Sequence, residues 1–190
     1  PGPVVLALPE NMLSAVADVA DRSGPIMELA PNLDTVAQDA LHWLSGFERP
    51  LVIVGGPHWS PQAAADLATF AQTQNLPVAL GFRRQDYLDN RHANYAGDLN
   101  VGMNPKLAQR MRDADALLVI GSRLGDIETQ GYSLVDPSNP QCAICHVHAD
   151  PSEHGHVYHP DIAVTADAVS LTHALSRLPA CDTDWSGWTA

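Results

Sequence analysis

Five short apolar runs constrain the fold of this chain more than any other feature of its sequence. They occupy residues 51–54, 76–80, 116–121, 142–148 and 161–166. Continuous runs of this length are typical of strands that are covered on both faces, as in parallel sheets. Segments with helical spacing of apolar residues separate most of them. The sequence therefore predicts an α/β fold with a doubly wound, mostly parallel sheet and helices on both faces.

The helices are indicated by apolar spacing and by capping residues. Val36, Ala40, Leu41, Leu44 and Phe47 recur at helical spacing in the first, and Ala168, Leu171, Leu175 and Leu178 in the last. Ser60-Pro61 and Asn104-Pro105 are typical helix starts. Residues 81–103 show no clear period, so this segment is either functional or contains an element that the pattern hides.

Composition excludes several classes of function. The chain has 190 residues and a formal net charge of -12, which disfavours nucleic acid as a partner. No apolar run is long enough to span a membrane, and nothing resembles a signal peptide. Three cysteines, an odd number, favour reduced thiols and a cytoplasmic location over a disulfide framework.

Both ends of the sequence suggest a piece of a longer protein. The chain starts without Met, inside a predicted strand from Val4 to Leu8, and it finishes in a polar, glycine-containing tail. We therefore expect residues 1–30 to be the remnant of a preceding domain with its linker. We expect residues 31–179 to form the α/β domain and residues 180–190 to be a linker to a further domain.

Glycines follow the first, second and third of the predicted strands along the chain. Because parallel strands bring ligands to their carboxyl ends, we expect these turns to converge on one edge. The candidate cofactor-binding residues there are Gly55, Gly56, Ser122, Arg123 and Asp150. Gly55 and Gly56 would let a backbone approach a phosphate, Ser122 and Arg123 would hold a pyrophosphate, and Asp150 would accept ribose hydroxyls.

Each of these residues also has a purely structural interpretation. The G-G-P-H sequence does not match the G-x-G-x-x-G dinucleotide fingerprint, so Gly55-Gly56 also fits a plain turn. Arg123 can pair with a surface acid instead of a phosphate. Asp150 can be the N-cap of a capping box, with Pro151 at the first helical position and Glu153 reaching back.

Residues 142–159 are rich in cysteine and histidine, which suggests a metal-binding protein as an alternative. Side chains alternate along a strand, however, so Cys142 and Cys145 are predicted to point to opposite faces and cannot chelate one ion. We therefore predict no metal site. Arg83 and Arg84 fit either a phosphate-bearing ligand or a subunit interface, and the sequence leaves both open.

Five stretches in order resemble the central domain of thiamine diphosphate-dependent enzymes, the acetolactate synthase and benzoylformate decarboxylase group. They are "RPLVIVGG", "HANYAG", "ADALLVIGSRLGD", "VHADPSEHG" and "DIAVTADA", between residues 49 and 178. "GPVVLALPEN" is similar to the end of the family's preceding pyrimidine-binding domain. The resemblance implies a Rossmann-like, non-catalytic middle domain of an enzyme acting on 2-oxo acids.

The resemblance also implies where the chemistry of the whole enzyme takes place. The family's catalytic glutamate lies upstream and its Mg-diphosphate motif, a GDG followed by Asn, lies in a later domain. Thiamine diphosphate and Mg would thus belong to a parent lyase or transferase, a homo-oligomer, and not to this chain. Some relatives hold FAD or ADP in this domain, but "AGDLNVG" departs from the Gly-Met-His-Gly run of flavin-using members. The alternative is a stand-alone nucleotide-binding module related to NAD-dependent deacylases.

Overall fold

The computed structural model describes residues 3, 5–16 and 32–190, and its centre is a six-stranded sheet. The strands are β1 (Pro50–Val54), β2 (Val78–Leu80), β3 (Tyr95–Asp98), β4 (Ala116–Ile120), β5 (Ala143–His148) and β6 (Ile162–Thr165). Their order is β3-β2-β1-β4-β5-β6, and every neighbouring pair is parallel. The predicted doubly wound parallel sheet is confirmed.

Helices connect or flank these strands. They are α1 (Glu10–Leu13), α2 (Leu33–Leu44), α3 (Pro61–Gln74), α4 (Pro105–Asp113), α5 (Ala168–Ser176) and α6 (Ser186–Thr189). The expected caps form, since Ser60 Oγ accepts the Ala63 N–H at 3.2 Å and Asn104 Oδ1 accepts the Lys106 N–H at 2.9 Å. Within the described residues, none of the helices has the length and apolar character needed to cross a membrane.

Alternation along the strands divides the core into two layers. Val52 and Val54 of β1 face a cluster that includes apolar residues of α2, α3 and α5. Leu51 and Ile53 face the opposite cluster, which contains α4 and residues of the irregular 121–142 connection. β1 lies between the two layers and all five of its residues are buried, so it is the centre of the core.

The segment 81–103, which showed no period, contains the edge strand β3. All four residues of β3 are only partly buried, so the strand has no continuous apolar run that would reveal it. Gly97 lies in the left-handed region with φ +128°, and a Cβ there would lie 3.0 Å from Leu107 Cδ2. The strand was missed because an edge position needs fewer apolar side chains than a central one.

The predicted strand at the start of the chain is wrong for the residues that the structure describes. Residues 5–9 form neither strand nor helix, and Val5 and Leu6 are 91% and 77% exposed. A strand needs a hydrogen-bonded partner, and no described strand adjoins this segment. Val4 and residues 17–31 lie outside the described part of the chain, so the domain boundary near residue 30 stays a prediction.

The last eleven residues, predicted to be a linker, pack against the domain. Trp185 is 1% exposed, and its indole Nε1–H donates to Phe47 O at 2.9 Å. The Trp188 indole Nε1–H donates to Pro50 O at 2.8 Å, at the amino end of β1. The segment is therefore part of the folded unit, and its predicted role in leading to a further domain stays a prediction.

Candidate functional site

The turns that follow β1 and β4 meet at the centre of the carboxyl edge of the sheet. The chain leaves β1 toward β2 on one side, and it leaves β4 toward β5 on the other. Gly55 N–H donates to Ile120 O at 2.9 Å, and Gly121 N–H donates to Val147 O at 2.8 Å, so each turn extends the ladder by one step. Such a point of divergence leaves a crevice between the turns, where open α/β sheets bind their ligands.

The glycines of these turns are required by contacts between the turns themselves. A Cβ on Gly55 would lie 2.9 Å from Ser122 Cβ. Gly56 has φ +81°, and a Cβ there would lie 2.7 Å from Gly121 O. Gly121 has φ +74°, and its Cβ would lie 2.7 Å from both Ala168 Cβ and Gly55 O. Packing of turn on turn is thus enough to explain these three glycines.

A cleft of about 960 Å³ opens above the two turns. The five residues predicted to bind a cofactor all line it: Gly55, Gly56, Ser122, Arg123 and Asp150. The parallel topology brings them together from the ends of three strands. Their role in holding a ligand remains a prediction, and the contacts of each side chain bear on it.

Ser122 and Arg123 are already engaged with protein groups. The Ser122 hydroxyl donates to Glu128 Oε2 at 2.5 Å and accepts the Leu124 N–H at 3.0 Å. Arg123 Nε lies 3.1 Å from Glu153 Oε1, and the arginine side chain is 71% exposed. The arginine therefore has the acidic partner of its structural interpretation, although most of its side chain is exposed to solvent.

Asp150 is a helix cap. Its Oδ1 accepts the Ser152 N–H at 2.9 Å and the Ser152 hydroxyl at 2.7 Å, at the start of a short 3₁₀ turn, Pro151–Glu153. These two hydrogen bonds hold the pKa of Asp150 below its usual value.

The second half of the expected capping box does not form. Glu153 pairs with Arg123, and the Asp150 N–H donates to His148 Nδ1 at 3.1 Å. In this 3₁₀ turn of three residues the Glu153 side chain lies toward Arg123 of the neighbouring loop and not back toward the cap.

Sequence reasoning missed Glu128, which lies between two strand ends. Its Oε1 accepts the Phe82 N–H at 3.1 Å, and its Oε2 accepts the Gly125 N–H at 3.2 Å. No motif marks this residue, because Phe82 is 46 positions away in sequence. The only available signal was its location in a glycine-containing loop after a buried strand.

Aromatic residues beside the β1 turn were also missed. The Trp59 and Tyr87 rings stack with their centroids 4.5 Å apart. The Trp59 indole N–H donates to Gly55 O at 2.9 Å, and the Tyr87 hydroxyl donates to Gly56 O at 2.7 Å. These two hydrogen bonds hold the carbonyl groups of the β1 turn in place. Burial raises the pKa of Tyr87, so its hydroxyl keeps the proton that it donates.

The lining of the cleft is more acidic than basic. Among the residues that the structure describes, four carboxylates line it, from Asp126, Glu128, Asp150 and Asp167, against two guanidinium groups, from Arg84 and Arg123. Arg84, which the sequence left open between a ligand and an interface, lies in this lining with its guanidinium 5.7 Å from the Tyr87 ring centroid. The cleft therefore does not concentrate positive charge for a pyrophosphate.

Cys142 and Cys145 lie on opposite faces of the sheet, as the alternation predicted. Cys145 belongs to the cluster with α2, α3 and α5, and Cys142 to the cluster with α4. Burial raises the pKa of both thiols to about 12. In the described ranges, no three histidine, cysteine, aspartate or glutamate side chains are grouped so that they could hold a metal ion.

Three imidazoles adjoin the cleft from the side of β5. His146 is 5% exposed, and its Nε2 lies 2.8 Å from Ser122 O, which requires an Nε2–H donor. Its ring centroid is 5.2 Å from that of His154 and 6.0 Å from that of His148. Burial, together with the charges of the neighbouring imidazoles, lowers the pKa of His146 against the opposing Ser122 hydrogen bond.

Comparison with known proteins identifies the family. Residues 37–175 match the family described as "Thiamine pyrophosphate enzyme, central domain". The chain belongs to this family. The match begins in α2 and finishes in α5, so it covers the whole sheet and both turns of the cleft.

Relatives of known activity are similar over nearly the whole chain. The chain is 27% identical over 181 residues to the sulfoacetaldehyde acetyltransferase of Rhodobacter capsulatus, covering 94% of this chain and 30% of that protein. It is 27% identical over 173 residues to the acetolactate synthase large subunit of Parasynechococcus marenigrum, covering 88% and 28%. It is also 27% identical over an alignment of 202 residues, gaps included, to the glyoxylate carboligase of Escherichia coli O157:H7, covering 97% of this chain and 33% of that protein. The chain thus spans about a third or less of these relatives.

Proposed function

We propose that this chain serves as the central, non-catalytic scaffold domain of a thiamine diphosphate-dependent enzyme that acts on 2-oxo acids, in the manner of acetolactate synthase. The observation that carries the proposal is the family match over residues 37–175, together with relatives whose names include acetolactate synthase and glyoxylate carboligase. The parent would be a lyase or transferase. A stand-alone nucleotide-binding module is not favoured, because the family match accounts for the same sheet and cleft.

The chemistry of the parent would lie in its neighbouring domains. This domain's partners would be a pyrimidine-binding and a diphosphate-binding domain of the same polypeptide, in a homo-oligomer. Its own Gly-Asp pairs do not supply the Mg motif, because Leu99 follows Gly97-Asp98 and Ile127 follows Gly125-Asp126. Thiamine diphosphate and Mg would be held elsewhere in the parent. The free thiols Cys142 and Cys145 support a reducing, cytoplasmic setting.

The cleft is proposed to be a weak or vestigial nucleotide site. Glycine turns at Gly55, Gly56 and Gly121 would allow the protein backbone to approach a ligand phosphate closely. Ser122, Arg123 and Asp150, however, are each committed to a protein partner. A nucleotide would have to displace at least one of these contacts, and the acidic lining opposes its phosphates.

Calorimetric titration of the 190-residue chain with FAD, ADP and coenzyme A tests this weak site. We expect a Kd no tighter than about 10 µM for each ligand, which corresponds to a binding free energy of roughly -7 kcal/mol. A flavin that copurifies with the chain, or a submicromolar Kd, would contradict the prediction. The absence of heat with all three ligands would leave the domain as a spacer between the two thiamine-binding domains.

The scaffold role is tested by catalysis and by gene sequence. The chain, mixed with thiamine diphosphate, Mg and pyruvate, should release no carbon dioxide above the rate of the cofactor alone. An acetolactate synthase large subunit provides the positive control in the same assay. Turnover by this chain would overturn the proposal. The full reading frame should also contain a GDG motif downstream of Ala190. If that motif were absent, the proposal of a thiamine diphosphate-dependent parent enzyme would fail.

A further inference from the structure

The carboxylate of Glu128 is held by three donors that come from two different strand ends. Phe82 N–H, which follows β2, donates to Oε1 at 3.1 Å. Gly125 N–H donates to Oε2 at 3.2 Å, and the Ser122 hydroxyl donates to the same oxygen at 2.5 Å. We name these three donors the cradle. The carboxylate links the connection after β2 to the connection after β4, across the mouth of the cleft.

The floor of the cradle is shaped for an oxygen atom at this position. A Cβ on Gly81 would lie 2.5 Å from Glu128 Oε1, so glycine is what allows the carboxylate to rest on the turn. Ser122 is 3% exposed, and its oxygen accepts the Leu124 N–H at 3.0 Å. That contact directs the hydroxyl hydrogen toward Glu128. The cradle is therefore built and oriented by the surrounding backbone.

Two backbone N–H groups and a hydroxyl form the type of donor set with which proteins bind phosphate and other oxyanions. The short hydrogen bond from Ser122 is typical of a hydroxyl that donates to a charged oxygen. In this chain the group bound by these donors is the carboxylate of Glu128. A phosphate that entered this part of the cleft would meet both an occupied donor set and a negative charge.

We propose that Glu128 is an internal ligand that occupies an oxyanion-binding cradle and thereby excludes anionic groups from this end of the cleft. The same cradle, without the carboxylate, would bind a phosphate-sized oxyanion such as the terminal phosphate of a nucleotide. Glu128 is then the residue that sets the cleft's selectivity against anions. This inference concerns the domain itself and does not depend on the proposed activity of a parent enzyme.

Inorganic phosphate is the probe that tests the proposal, with calorimetry or ³¹P NMR on the 190-residue chain. Glu128→Ala empties the cradle and removes the charge, so its phosphate affinity should rise about tenfold or more over wild type, equivalent to about 1.4 kcal/mol. Glu128→Gln removes the charge but leaves the side-chain atoms in place. Its phosphate affinity should rise less, by about threefold.

Asp126→Asn is the matched control. It removes one negative charge from the same cleft lining, but Asp126 accepts none of the cradle's hydrogen bonds. Its phosphate affinity should stay within about twofold of wild type. A gain in Asp126→Asn as large as in Glu128→Ala would overturn the proposal, because net charge alone would then explain both results.

Far-UV circular dichroism and urea unfolding establish that each variant is folded before its affinity is compared. An unchanged phosphate affinity in folded Glu128→Ala overturns the proposal. Should that variant not fold, the near-isosteric Glu128→Gln decides, and an affinity within about twofold of wild type overturns the proposal equally.

Discussion

The amino ends and the carboxyl ends of the strands differ in how they are covered. The amino edge is covered by residues 181–190 and is called the sealed edge, and the carboxyl edge, which holds the cleft, is called the open edge. At the carboxyl edge, glycine turns pack on one another and leave a cleft of about 960 Å³. At the amino edge, residues 181–190 fold back over the strand starts. Trp185 packs against the core layer of α2, α3 and α5, and Trp188 packs against the layer of α4. One short segment thus closes both layers, whereas the opposite edge stays open.

The sealed edge is fixed by contacts between side chains and backbone carbonyls. Gln74 is 2% exposed, donates to Pro179 O at 2.9 Å and accepts the Cys181 N–H at 3.0 Å. The Arg110 guanidinium lies 5.0 Å from the Trp188 ring centroid and donates to Ala190 O at 3.2 Å. Because large aromatic surface is buried here, the amino edge should contribute stability, and the carboxyl edge is left for a ligand or partner.

The largest effect should come from opening the sealed edge. Trp185→Ala removes a buried indole that is 1% exposed and leaves a cavity, so it should lower the free energy of unfolding by about 3–5 kcal/mol. Urea unfolding followed by circular dichroism measures the loss. Trp185→Phe keeps one aromatic ring but loses the second ring of the indole and the hydrogen bond to Phe47 O, so its cost should be smaller, about 1–3 kcal/mol.

Trp188→Ala provides the comparison within the same segment. This side chain is only partly buried, so its removal should cost about 1–2 kcal/mol. If Trp185→Ala were no more destabilising than Trp188→Ala, residues 181–190 would not be an integral part of the domain's core, and the contrast between the two edges would fail.

The next effect concerns the glycine turns of the open edge. Gly121→Ala forces an alanine into φ +74° and brings its Cβ within 2.7 Å of Gly55 O, a backbone atom that cannot move aside cheaply. Left-handed strain and overpacking together should cost about 2–4 kcal/mol. Thermal unfolding of the variant measures this cost.

Gly125→Ala and Gly155→Ala divide that cost into its parts. Gly125 has open space around a Cβ and no positive φ, so its change should alter stability by no more than about 0.5 kcal/mol. Gly155 has φ +79° with open space, so its change should show the strain alone, about 1–2 kcal/mol. A Gly121→Ala cost equal to that of Gly155→Ala would show that contact between the turns is unimportant.

The open edge was the more predictable of the two. A parallel sheet sends the ends of its strands to one side, so the order of apolar runs was enough to bring Gly55, Ser122 and Asp150 to one cleft. What the sequence does not contain is the partner of each side chain. Glu128 reaches Phe82 across 46 positions, and only the assembled sheet places the two together.

The packing of residues 181–190 was not predicted, because these residues look like a linker in sequence. The tail is polar and contains glycine, and Trp185 and Trp188 form no run with helical or strand periodicity. Their burial depends on an opening at the amino ends of the strands that exists only after the sheet has formed. In the same way, β3 was hidden because an edge strand with four partly buried residues carries little apolar pattern.

The smallest effect is a pH dependence that arises beside the cleft. Burial and the neighbouring charges of His154 and His148 lower the pKa of His146 in the folded chain, and a hydrogen bond to Ser122 O and the charge of Glu153 oppose them only in part. The unfolded chain therefore takes up this proton at a higher pH, near the ordinary histidine value of about 6.5. The stabilisation is complete above that pH and is lost as the pH falls toward the folded pKa.

The free energy of unfolding should consequently be lower at about pH 5.5 than at about pH 7.5, as measured by urea titration at both values. His146→Gln keeps a donor for Ser122 O and removes the titrating ring, so the difference between the two pH values should shrink. Part of it should remain, because burial also lowers the pKa of His154. If the difference in His146→Gln were as large as in wild type, the pH dependence of the free energy of unfolding would not arise from His146.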